Sequence, residues 1–133
     1  MNAETVAQQL SDRLAGILNG RSTPYAPDTI SPPAGYVFGS ETEYHQSYQG
    51  GLTRAQLSIT VAVARAPLDV AWKLLAGFIS DTGATSVKAW LESGEYTAFD
   101  TLIVARSRVG DVSIGDNTYK AAQFDLVITG SGA

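Results

Sequence analysis

The sequence predicts an α/β protein of the α+β type, with a mostly antiparallel or mixed β-sheet, helices packed on one face and a long C-terminal β-hairpin. Three observations carry this. Val6, Leu10, Leu14, Ile17 and Leu18 recur at helical spacing. Leu57, Ile59, Val61 and Val63 alternate with Ser58, Thr60, Ala62 and Ala64, as a half-buried strand does. Two strand-like runs, 100–114 and 118–129, flank Gly115-Asp116-Asn117, whose residues tolerate the positive φ of a hairpin turn.

The elements follow in order. Residues 1–20 read as an amphipathic helix, with Asn2 as N-cap and Asn19-Gly20 as a stop signal. Residues 21–33 form a proline-rich lead-in: Pro24, Pro27, Pro32 and Pro33 are four of the five prolines. Proline fixes φ and restricts its predecessor, so this stretch is a stiff brace from the helix to an edge strand at 34–38. Residues 40–54, SETEYHQSYQGGLT and its neighbours, show no periodicity and read as a long loop or a mobile hairpin.

After the strand from Gln56, Pro67 suits the first turn of a helix. Leu68, Ala71, Trp72, Leu75, Phe78 and Ile79 make its apolar stripe, with Trp72 and Trp90 expected in the core. Thr85 or Ser86 caps a shorter helix around Val87, Trp90 and Leu91, and Gly94 stands where a left-handed C-terminal residue would go. In the hairpin, Ala122, Phe124, Leu126 and Ile128 alternate with Gln123, Asp125 and Thr129. The preceding run does not alternate so cleanly, because Leu102 and Val104 share a parity with Arg106 and Arg108. A β-bulge near Gly110, or a strand end running past the core, would resolve that conflict. Residues 129–133 read as a flexible tail.

At 133 residues the chain fits one domain, 1–133. Its 44% hydrophobic and 17% charged residues suit a folded, water-soluble protein, and no apolar run approaches a membrane span. The first residues lack the basic start and apolar core of a secretory signal, so an intracellular product is expected. Without cysteine there are no disulfides or thiolate sites. A net charge of −4 without a Lys/Arg cluster is not the footprint of a nucleic-acid-gripping protein.

Reactive groups are few. His45 is the only histidine, so any general acid/base role rests on it. Glu41, Glu43 and His45 alternate and would share a face if extended, which keeps a small metal-dependent enzyme or ligand-binding domain as an alternative, although a solvated loop explains them more simply. Asp111, Asp116 and Asn117 lack the ligand ladder of a calcium loop and fit a hairpin turn. No phosphate-cradling glycine motif or nucleophile elbow is present. Tyr44 and Tyr48, in the polar loop, suit a protein interface, and His45 lies between them. Arg54, Arg106 and Arg108 are read as solvated or, preferably, as pairing with a neighbouring subunit. No catalytic residue, cofactor or metal is expected.

The opening helix NAETVAQQLSDRLAGI, the segment YAPDTISPPAGYVF, the loop EYHQSYQGGLTR before QLSITVAVAR, the stretch SVKAWLESGEYTAFDTLIV and the hairpin GDNTYKAAQFDLVITG together resemble tail terminator proteins of long-tailed phages, especially those of actinobacteria. The likeness is one of order and spacing over nearly the whole chain. It implies a structural, non-enzymatic subunit of the virion, assembled in the host cytoplasm into a hexameric ring on the head-proximal end of the tail tube. Such a ring stops tube polymerisation and offers a surface to the neck, while DNA passes through its lumen without specific binding. Tail tube protein and head-tail connector or stopper proteins are then the partners. Another neck component, a stopper or connector adaptor, is the alternative from the same class.

Overall fold

The computed structural model describes residues 3–18, 20–25, 33–43, 52–64, 68–80, 82, 83, 86–115 and 117–131. Along them run α1 (Ala3–Ala15), β1 (Ser22–Thr23), β2 (Ala34–Glu43), β3 (Leu52–Ala64), α2 (Leu68–Ile79), α3 (Val87–Glu92), β4 (Thr101–Ile114) and β5 (Asn117–Ser131). The strands form one mixed five-stranded sheet in the order β1-β2-β3-β5-β4, so the fold is α+β. Among the described residues, only the short β1–β2 pairing is parallel.

All three helices lie on one face. Val6, Leu10 and Leu14 of α1, Ala71, Leu75 and Phe78 of α2, and Val87 and Leu91 of α3 are buried in one cluster with Leu57, Ile59, Val61 and Val63 of β3 and Phe124, Leu126 and Ile128 of β5. The period-two pattern of each strand thus meets the helical stripes across a single dry layer. Burying a Leu, Ile or Phe side chain contributes about 1.5–3 kcal/mol, so this layer is the main source of stability. α1 sits close to β2: a Cβ on Gly35 would stand 2.6 Å from Leu14 Cδ2 and 2.9 Å from Leu18 Cδ1. Gly35 is therefore the groove into which Leu14 of α1 and Leu18, in the turn after it, settle.

Polar contacts lock the helices to one another. Ser86 is the N-cap of α3, accepting from Ala89 N–H at 3.1 Å, and its hydroxyl donates to the Ser80 carbonyl just beyond α2. Arg13 lies over the Trp90 ring at 3.7 Å and its Nε donates to the Trp90 carbonyl at 3.0 Å; Trp90 Nε1 returns a bond to the Arg13 carbonyl. Gln9 Oε1 accepts from the N–H groups of Thr97 and Ala98, tying α1 to the segment that leads into β4. Tyr96 stacks on Phe99 with centroids 4.6 Å apart. Burial raises the Tyr96 hydroxyl above its usual range, with the nearby Arg13 charge working against the rise.

Several expectations are corrected. Of the two readings of 40–54, the loop is corrected and the hairpin fits the described ends, since Ser40–Glu43 continues β2 and Leu52–Arg54 begins β3, paired antiparallel; positions 44–51 lie outside the described residues. Apolar alternation fails there because the pairing carries polar residues on both faces, and strand propensity yields to the ladder beside it. The tail expected over 129–133 is likewise ladder as far as Ser131, with Thr129, Gly130 and Ser131 opposite Arg54, Thr53 and Leu52. Within the lead-in over 21–33, Ser22 and Thr23 pair with Gly35 and Tyr36, while residues 26–32 lie outside the described residues. The N-terminal helix, expected over 1–20, is regular only to Ala15 and continues as turn.

The β4 parity conflict is resolved by a register shift between Val104 and Arg106, at Ala105, rather than near Gly110. One extra residue there keeps Val104 in the core and turns Arg106 and Arg108 to the far side. The hairpin turns between Ile114 and Asn117, which stand opposite each other, with Gly115 at φ 61°, the positive value tight hairpin turns need at that position. Trp72 is 47% exposed and Trp90 half-buried, so neither is a core residue as expected. Gly94 lacks positive φ; a Cβ there would crowd Arg13 Nε and the Tyr96 hydroxyl, both at 2.8 Å.

Leu126 is fully buried at the centre of β5, so Leu126→Ala should lower stability by about 2–5 kcal/mol, read as a fall in denaturation midpoint without a change in slope. Burial tends to raise the Glu92 carboxyl, but hydrogen bonds from Lys88 and the Val104 N–H, with the Lys88 charge, outweigh it and hold the group below its usual range. A lowered carboxylate stabilises the fold above its unfolded pKa and loses that effect as pH falls through the folded value. Glu92→Gln should therefore reduce stability by roughly 0.5–1 kcal/mol near neutral pH and by less in acid, in paired thermal melts.

Candidate functional site

With the helices on one side, the opposite face of the sheet is where the chain presents its irregular chemistry. The strand pattern dictates its residues: Arg54, Gln56, Ser58, Thr60 and Ala62 on β3 share rows with Thr129, Val127, Asp125, Gln123 and Ala121 on β5. Beyond β5, the rows continue to Ile103, Arg106, Arg108 and Gly110 on β4. On the other side, Ala34 and Tyr36 of β2 face Ala62 and Thr60.

This face has two zones. Near the hairpin tip, Tyr36, Ala62, Ile114, Tyr119 and Ala121 form a second buried cluster, with Val112 packed against it. Ala62 on β3 and Ala121 on β5 are small and leave room there for two tyrosine rings. The Thr60 hydroxyl is fully buried in this face and has no hydrogen-bond partner among the described residues.

The second zone is charged. Asp125 Oδ2 lies 2.9 Å from Arg106 Nε, and Oδ1 lies 3.5 Å from Arg108 Nη2 and 3.2 Å from Ser58 Oγ. One carboxylate thus serves two arginines, leaving one positive charge in excess. Both guanidinium groups remain largely in water, with 71% and 63% of their side-chain surface exposed. On the opposite side of the hairpin, in the row between Gly110–Ala121 and Val112–Tyr119, Lys120 Nζ meets Asp111 Oδ1 at 2.7 Å. A cavity of about 210 Å³ lies along this part of the hairpin, lined by Arg108, Val109, Gly110, Asp111, Val112, Ala121 and Gln123.

The six candidate interface residues separate. Arg106 and Arg108 share this face, pair with Asp125 of their own chain and remain largely exposed. Arg54 is on the same face, opposite Glu43 and Thr129 in register. Tyr44, His45 and Tyr48 lie outside the described residues. Glu41 and Glu43 are in β2, in register with Gln56 and Arg54. Among the described residues no group of three or more His, Cys, Asp or Glu side chains gathers as metal ligands do. Likewise, no described helix is long and apolar enough to cross a membrane.

Sequence reasoning missed Asp125 as the organiser of this face. The signal was present in a weak form, an acidic residue at an outward position of an otherwise apolar strand. Its partners became identifiable only through the Ala105 bulge, which shifts Arg106 opposite Asp125. No protein-family model matches the chain, and neither does any curated protein.

The Arg106–Asp125–Arg108 group predicts a salt-sensitive contribution. Asp125→Asn should lower stability by about 1 kcal/mol at low ionic strength, with the difference shrinking as salt is raised toward ~1 M. A loss independent of salt would place the effect in packing instead.

Proposed function

We propose that this protein is a structural subunit of a phage tail terminator, assembling as a hexameric ring on the head-proximal end of the tail tube. The observation that carries the reading is the division of the sheet: one face is occupied by the chain's own helices, and the other displays polar and charged side chains along strands whose outer edges no described strand covers. That is a surface suited to contact with other protein rather than to chemistry on a small molecule. The order and spacing of the sequence segments, which resemble tail terminators across nearly the whole chain, supply the identity of the partners.

On this reading each subunit needs two different patches, because a ring is built from one repeated heterologous contact that closes by rotation. A third surface meets the tail tube protein, and a fourth meets connector or stopper proteins of the neck. The ring works by occupancy: once seated on the last tube layer, it covers the surface on which the next tube subunit would polymerise. The virion is the site of action, and DNA passes through the lumen without specific binding.

Electron microscopy of tails made with and without the protein tests this directly. Tails that overgrow and fail to join heads in its absence are expected. Tails of normal length that merely fail to join heads would overturn the terminator reading in favour of a stopper or connector adaptor.

A further inference from the structure

The sheet has two outer edges. On one side β1 pairs only with Gly35 and Tyr36, so no described strand lies against β2 from Val37 to Glu43. On the other side β4 is the last strand, and Glu92 Oε2 accepts from the Val104 N–H, closing that edge just before the Ala105 bulge. Beyond the bulge, from Arg106 onward, no described strand covers β4. Unpaired edges of this kind present rows of N–H and C=O groups to any extended chain that fits.

These edges are complementary. β2 carries Glu41 and Glu43 at alternate positions, in rows with Gln56 and Arg54; β4 carries Arg106 and Arg108 at alternate positions, in rows with Asp125 and Gln123. Both pairs of rows belong to the helix-free side of the sheet. Each of β2–β3, β3–β5 and β5–β4 is antiparallel, so β2 and β4 run in opposite directions. A second copy set beside the first, with its helices on the same side, therefore brings its β2 antiparallel to the first copy's β4.

We propose that copies of this chain associate head to tail by pairing β4 of one with β2 of the next, with Arg108 opposite Glu41 and Arg106 opposite Glu43. The register can be checked against the pleat. Directly opposed residues must share a face. Setting Glu41 against Arg108 puts Thr42 against Ser107 and Ser40 against Val109. Thr42 is in the row of core residue Ala55, and Ser107 and Val109 are in the rows of core residues Phe124 and Ala122, so the faces agree throughout. Asp125 leaves its two arginines one positive charge in excess, which suits them to carboxylates from outside. The assignment takes from the proposed function only that the chain forms a head-to-tail ring, and it supplies the two patches such a ring requires.

The absence of native cysteine provides the test. The full chain carrying Glu41→Cys together with Arg108→Cys is oxidised mildly and run on a non-reducing gel. Within one chain these positions are three inter-strand spacings of about 4.8 Å apart, too far for a disulfide. Proposed pairing gives a ladder of species beyond the dimer, collapsed by reductant, and at least tenfold more of it than the misregistered Glu41→Cys with Asp111→Cys. No ladder, or equal ladders, overturns the pairing.

Charge reversal gives a second measurement. By sedimentation, Arg106→Glu with Arg108→Glu, and separately Glu41→Arg with Glu43→Arg, should each lose association, while an equimolar mixture regains it, because every contact in the mixture is again between opposite charges. Circular dichroism melts of each variant confirm folding. Failure of the mixture of folded variants to associate overturns the pairing. Ladders from a protein that does not limit tail length support the interface and sink the terminator reading; tail-length control by a protein that gives no ladder does the reverse.

Discussion

A sheet covered by helices on one side only must keep two different environments apart along every strand, and β5 bears most of that requirement. It is hydrogen-bonded to β3 on one flank and β4 on the other, so it has no edge with which to absorb an error. Ala122, Phe124, Leu126 and Ile128 fill the helix-covered side, while Gln123, Asp125 and Val127 lie on the other, half-buried. A slip of one residue would drive Asp125 into the core and Leu126 into water. Both neighbouring registers are therefore fixed by the same alternation, and the helices have a defined surface to pack on only because it holds.

The strands around β5 keep to this division by breaking their own regularity. Register shifts occur between Phe38 and Ser40 in β2, between Ala62 and Ala64 in β3, and between Val104 and Arg106 in β4. The shift in β4 inserts a residue where an uninterrupted strand would put side chains on the wrong side. In β4 the consequence is chemical as well as geometric, since the shift converts two arginines that would have faced the core into the partners of Asp125. Glu92, accepting from Val104 N–H, fixes the position of the strand at the residue before that shift.

This explains which features were legible in the sequence. The stripes of α1, the alternation of β3 and β5 and the Gly115 turn could be read because each is a local pattern repeated several times, and the one-sided sheet follows from combining them. Residues 40–43 and 52–54 could be read only as loop or hairpin, because no apolar alternation marks them and their place in the sheet is set by the strands they pair with. Ser131 is ladder for the same reason: Leu52 holds it. The bulge was inferable from the parity conflict, but its place at Ala105 was not, since several insertions would restore the same alternation. Trp72 looked like core by its spacing, yet an apolar stripe can be broader than the surface that covers it. Of the charged face, Arg106 and Arg108 were visible as candidates and Asp125, which gathers them, was not.

The strand order also governs how the chain reaches its folded state. The β4–β5 hairpin closes through a tight turn, whereas the β3–β5 ladder begins by joining Leu52 to Ser131, across more than half the chain. Closing so long a segment costs entropy before any contact repays it, and topologies dominated by distant pairings fold slowly. The hairpin can form early, but until β3 docks, the apolar side of β5 and one full flank of its backbone stay available to other chains. The strand that organises the native sheet is thus also the point at which a nascent or unfolding molecule is most open to aggregation.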